Sequence, residues 1–164
     1  MTNTRLERYR SRRDFRSTPE PSGEDDDDVG DTDRPIFVIQ QHDASSMHFD
    51  LRLEIDGALA SWAVPKGPST DPSDKRLALR TEDHPLDYAD FEGVIPEDEY
   101  GGGTVLLWDR GPYRNLKDDV DMVQALDDGK IEVFLEGEKI QGGYALIRTG
   151  SDDDQERWLL IKKD

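Results

Sequence analysis

The fold of this 164-residue chain is decided by the stretch MHFDLRLEI, residues 47–55. Apolar and polar side chains alternate strictly along it, and a period of two is typical of a β-strand with one buried face. The dipeptide Asp56-Gly57 follows, a strong signal for a two-residue hairpin turn, and it leads into a second apolar segment at residues 59–64. The sequence therefore predicts an antiparallel hairpin in this region.

Short apolar segments of similar composition recur along the rest of the chain. They lie at residues 37–39, 77–81, 104–108, 130–135, 144–149 and 158–162. Residues 118–128 have the spacing of an amphipathic helix, and Gly129 is available to end it. About eight short strands, many turns and one short helix predict a mainly β fold, an antiparallel barrel that is closed or nearly closed.

The N-terminal 33 residues differ in composition from the rest. Six arginines lie within residues 1–19, and an Asp-rich run with nothing to bury follows them. We therefore divide the chain into a basic arm plus acidic linker at residues 1–33 and a single β-barrel domain at residues 34–164.

The net charge of −17 is unevenly distributed. The segments 20–33, 118–128 and 152–156 contain 17 acidic residues and no basic ones, so the remainder is balanced. A low overall isoelectric point therefore does not exclude a polyanionic ligand, because the local field steers such a ligand. We expect these segments to lie away from the functional site, and we expect the site itself to be electropositive.

The chain has no cysteine, which excludes disulfides, thiolate metal sites and a cysteine nucleophile. This composition fits a reducing cytoplasm, where we expect the protein to reside. No apolar run approaches the ~18 residues of a membrane span, and the N-terminus lacks the apolar segment of a signal peptide. We expect no membrane association.

The polar face of the alternating strand carries His48, Asp50, Arg52 and Glu54. If this face lined the barrel interior, burying it would be costly unless it bound something. If it faced solvent, the row would be unremarkable, and polar-out alternation is the commoner arrangement for such strands. Both interpretations remain open from the sequence.

The histidines favour a metal site. Two of the three, His42 and His48, flank a short loop, and Asp50 follows at a spacing of two. Two imidazoles and a carboxylate suit Mn, Fe, Co or Zn with open coordination positions, as a catalytic metal requires. The cations of Arg52, Lys66, Arg76 and Arg80 are candidates for holding phosphate oxygens. Gly101-Gly102-Gly103 precedes a strand and not a helix, so we interpret it as a turn or bulge.

A set of ordered motifs supports a more specific interpretation. They are FVIQQH at 37–42, HFDLRLE at 48–54, SWAVPKGP at 61–68, EDHPLDY at 82–88, FEG at 91–93, Ile95-Pro96 and YGGGTV at 100–105, with Arg13-Asp14-Phe15 and TPEP at 18–21 in the arm. Together they resemble the 3′-phosphoesterase domain of DNA ligase D over residues 8–162. Because the chain ends at Asp164, we expect a free-standing form of a domain that is otherwise fused to ligase and polymerase modules.

This resemblance implies an enzyme that removes a 3′-terminal ribonucleoside from a DNA primer and then removes the 3′-phosphate, leaving a hydroxyl for repair synthesis and ligation. It implies a divalent metal, most often Mn, with Co or Zn as alternatives, held by His42, His48 and Asp50. The implied partners are primer–template 3′ ends, with a separately encoded ligase, polymerase or end-binding protein.

The resemblance also assigns roles to the remaining motif residues. The scissile phosphate would be contacted by Arg52, His84 and Tyr88, with Lys66 and Arg76 as supporting cations. A group used chiefly for ribonucleoside removal would comprise Arg13, Asp14, Glu20, Gln40 and Glu82.

Two alternatives from other classes remain open. His48, Asp50 and His84 match a two-histidine, one-carboxylate iron oxygenase site, although this leaves His42 unused. A non-catalytic, barrel-type nucleic-acid-binding module would need stacking aromatics on an exposed sheet face.

Overall fold

A computed structural model describes residues 4–23, 34–152 and 154–163. The acidic linker at 24–33, including Asp25 to Asp28, and Asp153 lie outside the described residues. The strands are β1 (Ile36–Asp43), β2 (Met47–Ile55), β3 (Ala58–Val64), β4 (Lys75–His84), β5 (Gly93–Ile95), β6 (Gly103–Asn115), β7 (Lys130–Glu136), β8 (Gln141–Asp152) and β9 (Gln155–Lys162). The prediction of a mainly β fold is confirmed.

The strands form one closed antiparallel barrel. The neighbour order is β1-β2-β3-β4-β9-β8-β7-β6, and pairing between β6 and β1 closes the ring. The short strand β5 adds to β6 outside the eight, with Val94 opposite Thr104. The predicted hairpin is present, with Asp56 and Gly57 at positive φ between β2 and β3.

The prediction of a single helix was wrong. Besides α2 (Met122–Asp128), the described residues contain α1 (Glu7–Ser11) in the arm, preceded by a 3₁₀ turn at Thr4–Leu6. The arm helix was missed because a five-residue helix shows little periodicity; its order comes from burial of Leu6 and Tyr9.

Helix α2 begins four residues later than predicted. The side chain of Asp121 accepts a 2.8 Å hydrogen bond from the backbone N–H of Gln124, so Asp121 is the N-cap. Gly129 has φ +78° and ends the helix in the left-handed conformation, as predicted.

Two apolar clusters occupy opposite sides of the barrel wall. The larger one fills the interior with side chains from the strands, including Leu51 and Leu53 of β2. The smaller one lies outside the wall, where Tyr9 of the arm and Leu86 and Tyr88 of the 3₁₀ turn Leu86–Asp90 cover the outer surface.

This second cluster shows whether the polar face of β2 lines the barrel interior or faces solvent. The residues alternating with Leu51 and Leu53 point outwards, yet Asp50 and Arg52 are buried. The arm and residues 85–96 form a second layer over them. The row therefore lies on the outer wall of the barrel beneath a second layer, where it forms a largely buried polar site.

No helix among the described residues is long and apolar enough to cross a membrane.

Candidate metal and phosphate site

Strand pairing brings the predicted metal ligands together. His42 of β1 is directly opposite His48 of β2, and Asp50 lies two residues further along the same face. One donor atom from each of the three lies within 4.8 Å of the other two. His48 Nε2 is 3.2 Å and His42 Nδ1 is 3.6 Å from the Asp50 carboxylate. This donor set fits a divalent transition metal.

Backbone carbonyls orient both imidazoles. His42 Nε2 lies 2.9 Å from the carbonyl oxygen of Gly101, and His48 Nδ1 lies 3.1 Å from that of Ser46. Because a carbonyl only accepts, these nitrogens carry protons, and His42 Nδ1 and His48 Nε2 are the nitrogens that face Asp50. Such second contacts commonly fix the tautomer of a metal-binding histidine.

The Gly101–Gly103 turn makes this arrangement possible. Gly101 has φ +76° and Gly103 has φ +131°. A Cβ at Gly103 would lie 2.2 Å from the carbonyl oxygen of Asp43, so the turn approaches the β1–β2 loop more closely than another residue would allow. The interpretation of this motif as a turn is confirmed, and it places the Gly101 carbonyl at the site.

Asp50 is ionised in this environment. Burial disfavours its charged form, but hydrogen bonds from His42 and His48 and the charge of Arg52 hold its pKa far below the usual value. The carboxylate is therefore ready to bind a cation.

Arg52 lies beside the metal ligands and is fixed by its neighbours. Its Nε donates a 2.7 Å hydrogen bond to Gln40 Oε1, and its Nη2 is 3.5 Å from Asp50 Oδ2. Its guanidinium also lies 4.7 Å from the centre of the Tyr88 ring. An always-charged, bidentate donor held in this way suits a phosphate oxygen.

His84 completes the phosphate side of the site. Its Nδ1 is 2.9 Å from the carbonyl oxygen of Glu82 and 3.1 Å from Arg52 Nη1. Burial, together with the positive charges of Arg52 and Arg13, lowers the pKa of His84 well below its usual value. The imidazole is therefore neutral at pH 7 in the free protein.

The arm contributes a buried ion-pair network. Arg13 Nε donates to Glu20 Oε2 at 2.9 Å, and the same oxygen accepts a 2.9 Å hydrogen bond from the Tyr88 hydroxyl. Arg13 also lies 3.4 Å from Glu82 Oε1. Tyr88 is thus both a core aromatic and a hydrogen-bond donor, and Arg13, Glu20 and Glu82 meet as one network.

These groups line one cavity of about 280 Å³. Its charged side chains are Arg13, Arg52, Glu20, Asp50 and Glu82. Two guanidiniums against three carboxylates do not make an electropositive site, contrary to our expectation. A divalent cation at Asp50 would reverse that balance, which is a further reason why the donor set fits a metal.

Comparison with known proteins agrees with this geometry. A family model described as the DNA ligase D 3′-phosphoesterase domain matches residues 40–148. The chain belongs to this family. It is 50% identical over 157 residues, 96% of its length, to the multifunctional non-homologous end joining protein LigD of Pseudomonas aeruginosa. It is 49% identical over 158 residues to the multifunctional non-homologous end joining DNA repair protein LigD of Mycobacterium tuberculosis. The chain spans 18% and 19% of the lengths of these relatives.

The structure does not bring every residue assigned from the 3′-phosphoesterase family into the cavity. Lys66 is exposed in the turn after β3. Arg76 lies on the same face of β4 as Ala78, whose side chain is in the barrel interior. The Nη2 of Arg76 is 3.7 Å from Asp74. Asp14 is exposed and accepts hydrogen bonds from Arg16 and Ser17. The roles of these three residues stay predictions.

Three residues near the site were missed. Tyr100 lines the cavity, and Arg12 Nη1 donates to its hydroxyl at 2.7 Å and to Glu82 Oε2 at 2.6 Å. Ser61 Oγ is 3.4 Å from His84 Nδ1. The YGGG motif contained a signal for Tyr100, whereas Arg12 was one of several similar arginines.

Two acidic segments lie closer to the site than expected, since Glu20 of the segment 20–33 lines the cavity itself. Asp154 and Glu156, from the segment 152–156, line a groove that also contains Glu82. The pairing of β4 with β9 explains the position of Asp154 and Glu156. Arg157 is opposite Leu79, so the start of β9 lies next to the end of β4.

Proposed function

We propose that this chain heals the 3′ ends of DNA, removing a terminal ribonucleoside and then the remaining 3′-phosphate to leave a 3′-hydroxyl. The observation that carries the proposal is the convergence of His42, His48 and Asp50 beside Arg52 and His84, in a chain of the 3′-phosphoesterase family. Metal donors and phosphate donors share one cavity, which is the arrangement that phosphoester hydrolysis needs.

His42 Nδ1, His48 Nε2 and an oxygen of Asp50 would hold the metal, for which Mn is our first choice and Co or Zn the alternatives. When bound, the cation would supply Lewis acidity toward a phosphoryl oxygen. The protein's own contribution there is to keep Asp50 ionised and to orient both imidazoles through the carbonyl oxygens of Gly101 and Ser46.

Arg52 would bind the phosphate oxygens that gain charge during the reaction. Its Nε is occupied by Gln40, and its two terminal nitrogens lie beside His84 and Asp50 at the wall of the cavity. A fixed guanidinium needs no reorganisation when charge develops, and this is the basis of electrostatic catalysis.

His84 would act as the proton donor to the leaving oxygen. It is neutral in the free protein because burial, together with the charges of Arg52 and Arg13, lowers its pKa. A phosphate dianion beside it reverses this field and raises its pKa, so His84 gains a proton on substrate binding.

The arm network would serve the ribonucleoside step. Glu20, Glu82 and Tyr88 form its hydrogen-bonding surface beside the phosphate side of the cavity, and Gln40 braces it from beneath. The ribose 2′-hydroxyl offers an internal nucleophile for this step, which would explain a requirement for a terminal ribonucleotide. Equal rates on a 2′-deoxy terminus would exclude that explanation.

The test is to incubate a primer–template ending in one ribonucleotide with the chain and Mn²⁺. We expect the nucleoside to leave first and the phosphate second, and we expect His42→Ala to abolish both steps. Asp43→Ala removes an exposed carboxylate one residue away and should leave both rates unchanged. Unchanged substrate with retained binding of the primer–template would contradict the proposal and favour the non-catalytic module.

The iron oxygenase alternative is less well supported. It requires His84 as a ligand together with His48 and Asp50, but His84 Nδ1 faces Arg52 and the Glu82 carbonyl. His42, which that alternative leaves unused, is the histidine that completes the convergent donor group.

A further inference from the structure

A groove with a volume of about 500 Å³ adjoins the catalytic cavity. The two share Thr81, Glu82 and Tyr100, so they meet along one edge. The groove lies between the arm on one side and the ends of β4 and β9 on the other. The proposed function assigns no role to it.

Arginines line the arm side of this groove. Arg5, Arg8 and Arg12 are three and four residues apart, a spacing that places them on one side of the helical segment formed by the 3₁₀ turn and α1. At 1.5 Å per residue the row spans about 10 Å. Arg80 of β4 faces it across the groove.

The carboxylates in the groove are not paired one to one with these arginines. Glu82 is shared by Arg12 and Arg13, Asp83 by Arg5 and Arg80, and Glu156 by Arg80 and Arg148. Three of the four carboxylates that line the groove are therefore each held between two guanidiniums, and Asp154 is the fourth. Since a guanidinium has five N–H donors, an arginine that holds a carboxylate retains donors for a second anion.

Arg8 differs from its neighbours. Its side chain is exposed, and no ion pair or hydrogen bond from its guanidinium is present within residues 4–23, 34–152 and 154–163. An unpaired cation at the centre of an arginine row is free to bind an incoming anion.

We propose that this groove binds the phosphodiester backbone of the DNA strand whose 3′ end occupies the catalytic cavity. The inference rests on the proposed function, because it takes the bound 3′ end as its starting point. A strand that leaves that cavity across the edge at Tyr100 enters the arginine row directly. With a strand rise of about 3.4 Å per nucleotide, a 10 Å row matches roughly three phosphates.

The experiment measures binding of a primer–template in the presence of a chelator, so that no turnover occurs. Neutralising one phosphate contact should lower the slope of log Kobs against log salt concentration by about one. We expect this for Arg8→Gln, whereas Arg8→Lys should keep the wild-type slope. The matched control is Arg114→Gln, because Arg114 is an exposed arginine on β6, the strand opposite β4 in the ring.

A second arm locates the contact on the DNA. Primers carrying one uncharged methylphosphonate linkage are compared at each of the last three positions before the 3′ end. At one of these positions the methylphosphonate should remove the phosphate that Arg8 contacts. Arg8→Gln should then cause no further loss of affinity for that primer, as expected for partners in a double-mutant cycle. An unaltered slope in Arg8→Gln, or an equal reduction in Arg114→Gln, would overturn the proposal.

These outcomes are separable from failure of the proposed function. If the wild-type chain cleaves the primer end but Arg8→Gln leaves the salt slope unaltered, only the groove proposal is overturned. A reduced Arg8→Gln slope without any cleavage removes the proposed function and retains the groove as a DNA-binding surface.

Discussion

The Nε of Arg52 donates a 2.7 Å hydrogen bond to the side-chain oxygen of Gln40, and both residues are buried. The amide nitrogen of Gln40 donates in turn to the carbonyls of Tyr88 and Phe91, at 2.9 and 3.0 Å. One buried amide therefore fixes Arg52, the arginine proposed to bind phosphate, on the barrel wall and also holds the covering segment above it. We regard Gln40 as a positioning residue whose contacts join the two layers.

Replacing Gln40 by Ala should destabilise the protein and reduce its activity together. The change leaves the Arg52 Nε and two carbonyls without their partner, and a buried unsatisfied group costs about 1–3 kcal/mol. Urea unfolding should show the loss in free energy of unfolding, and turnover on a 3′-phosphate should fall mainly in kcat. Gln41→Ala is the control, because Gln41 is less buried and its amide contacts Met47. Equal effects from both variants would contradict this role.

Gly101→Ala should weaken metal binding without unfolding the barrel. The added Cβ meets no atom within 4 Å, but φ +76° is strained for alanine, so the turn will move its carbonyl away from His42. Loss of such a second contact typically costs about 10–100-fold in metal affinity. Calorimetric titration with Mn²⁺ measures this.

Gly57→Ala is a closely matched control for that experiment. Gly57 also has a positive φ, +83°, and open space around its Cβ position, but it lies in the β2–β3 hairpin turn. Both variants should lose similar stability, and only Gly101→Ala should lose metal affinity. A parallel loss in Gly57→Ala would mean that the effect is general strain.

His84 should show no titration near neutral pH in the free protein. Its pKa is lowered in the folded state but is about 6.5 when unfolded, so the unfolded state binds the proton first as the pH falls. The stability contribution is therefore complete above about pH 6.5 and is lost as the pH falls from there towards the folded-state pKa.

Two measurements check this prediction. Histidine NMR signals should include one that does not shift between pH 6 and 7, and it should be absent from His84→Gln. Urea unfolding should show that wild type loses more stability than His84→Gln on going from pH 7 to pH 5. A His84 signal that titrates near pH 6.5 would show that burial and the charges of Arg52 and Arg13 do not lower its pKa in the folded protein.

Arg13→Met should release the arm from the barrel. Arg13 and Glu20 are both almost completely buried, and removing one partner of such a pair costs about 3–5 kcal/mol because the other charge is left unpaired. Protease cleavage within residues 4–23 should become faster, and ribonucleoside removal should suffer more than phosphate removal. Arg16→Gln is the control, since Arg16 is exposed and its partner Asp14 is also exposed. Unchanged protection of the arm in Arg13→Met would show that apolar contacts of Tyr9 hold it.

Local sequence pattern was sufficient for much of the fold. The strict alternation at 47–55 and the Asp56-Gly57 turn predicted β2 and the hairpin correctly, because a buried face and a tight turn are both short-range requirements. The spacing of His42, His48 and Asp50 predicted a metal group for a related reason. Residues that pair across a tight β1–β2 connection share a face, so their separation in sequence nearly fixes their separation in space.

The sequence alone also determined the family, through motifs that span most of the chain. Only the tertiary structure decided that the polar face of β2 is buried as well, since the arm and residues 85–96 that cover it come from distant parts of the chain. It likewise brought Arg13, Glu20 and Tyr88 into one network and placed Arg76 on the opposite face from Arg52. These relationships depend on barrel closure and on the docking of a second layer, which arise from long-range packing and leave no periodic signal in the sequence.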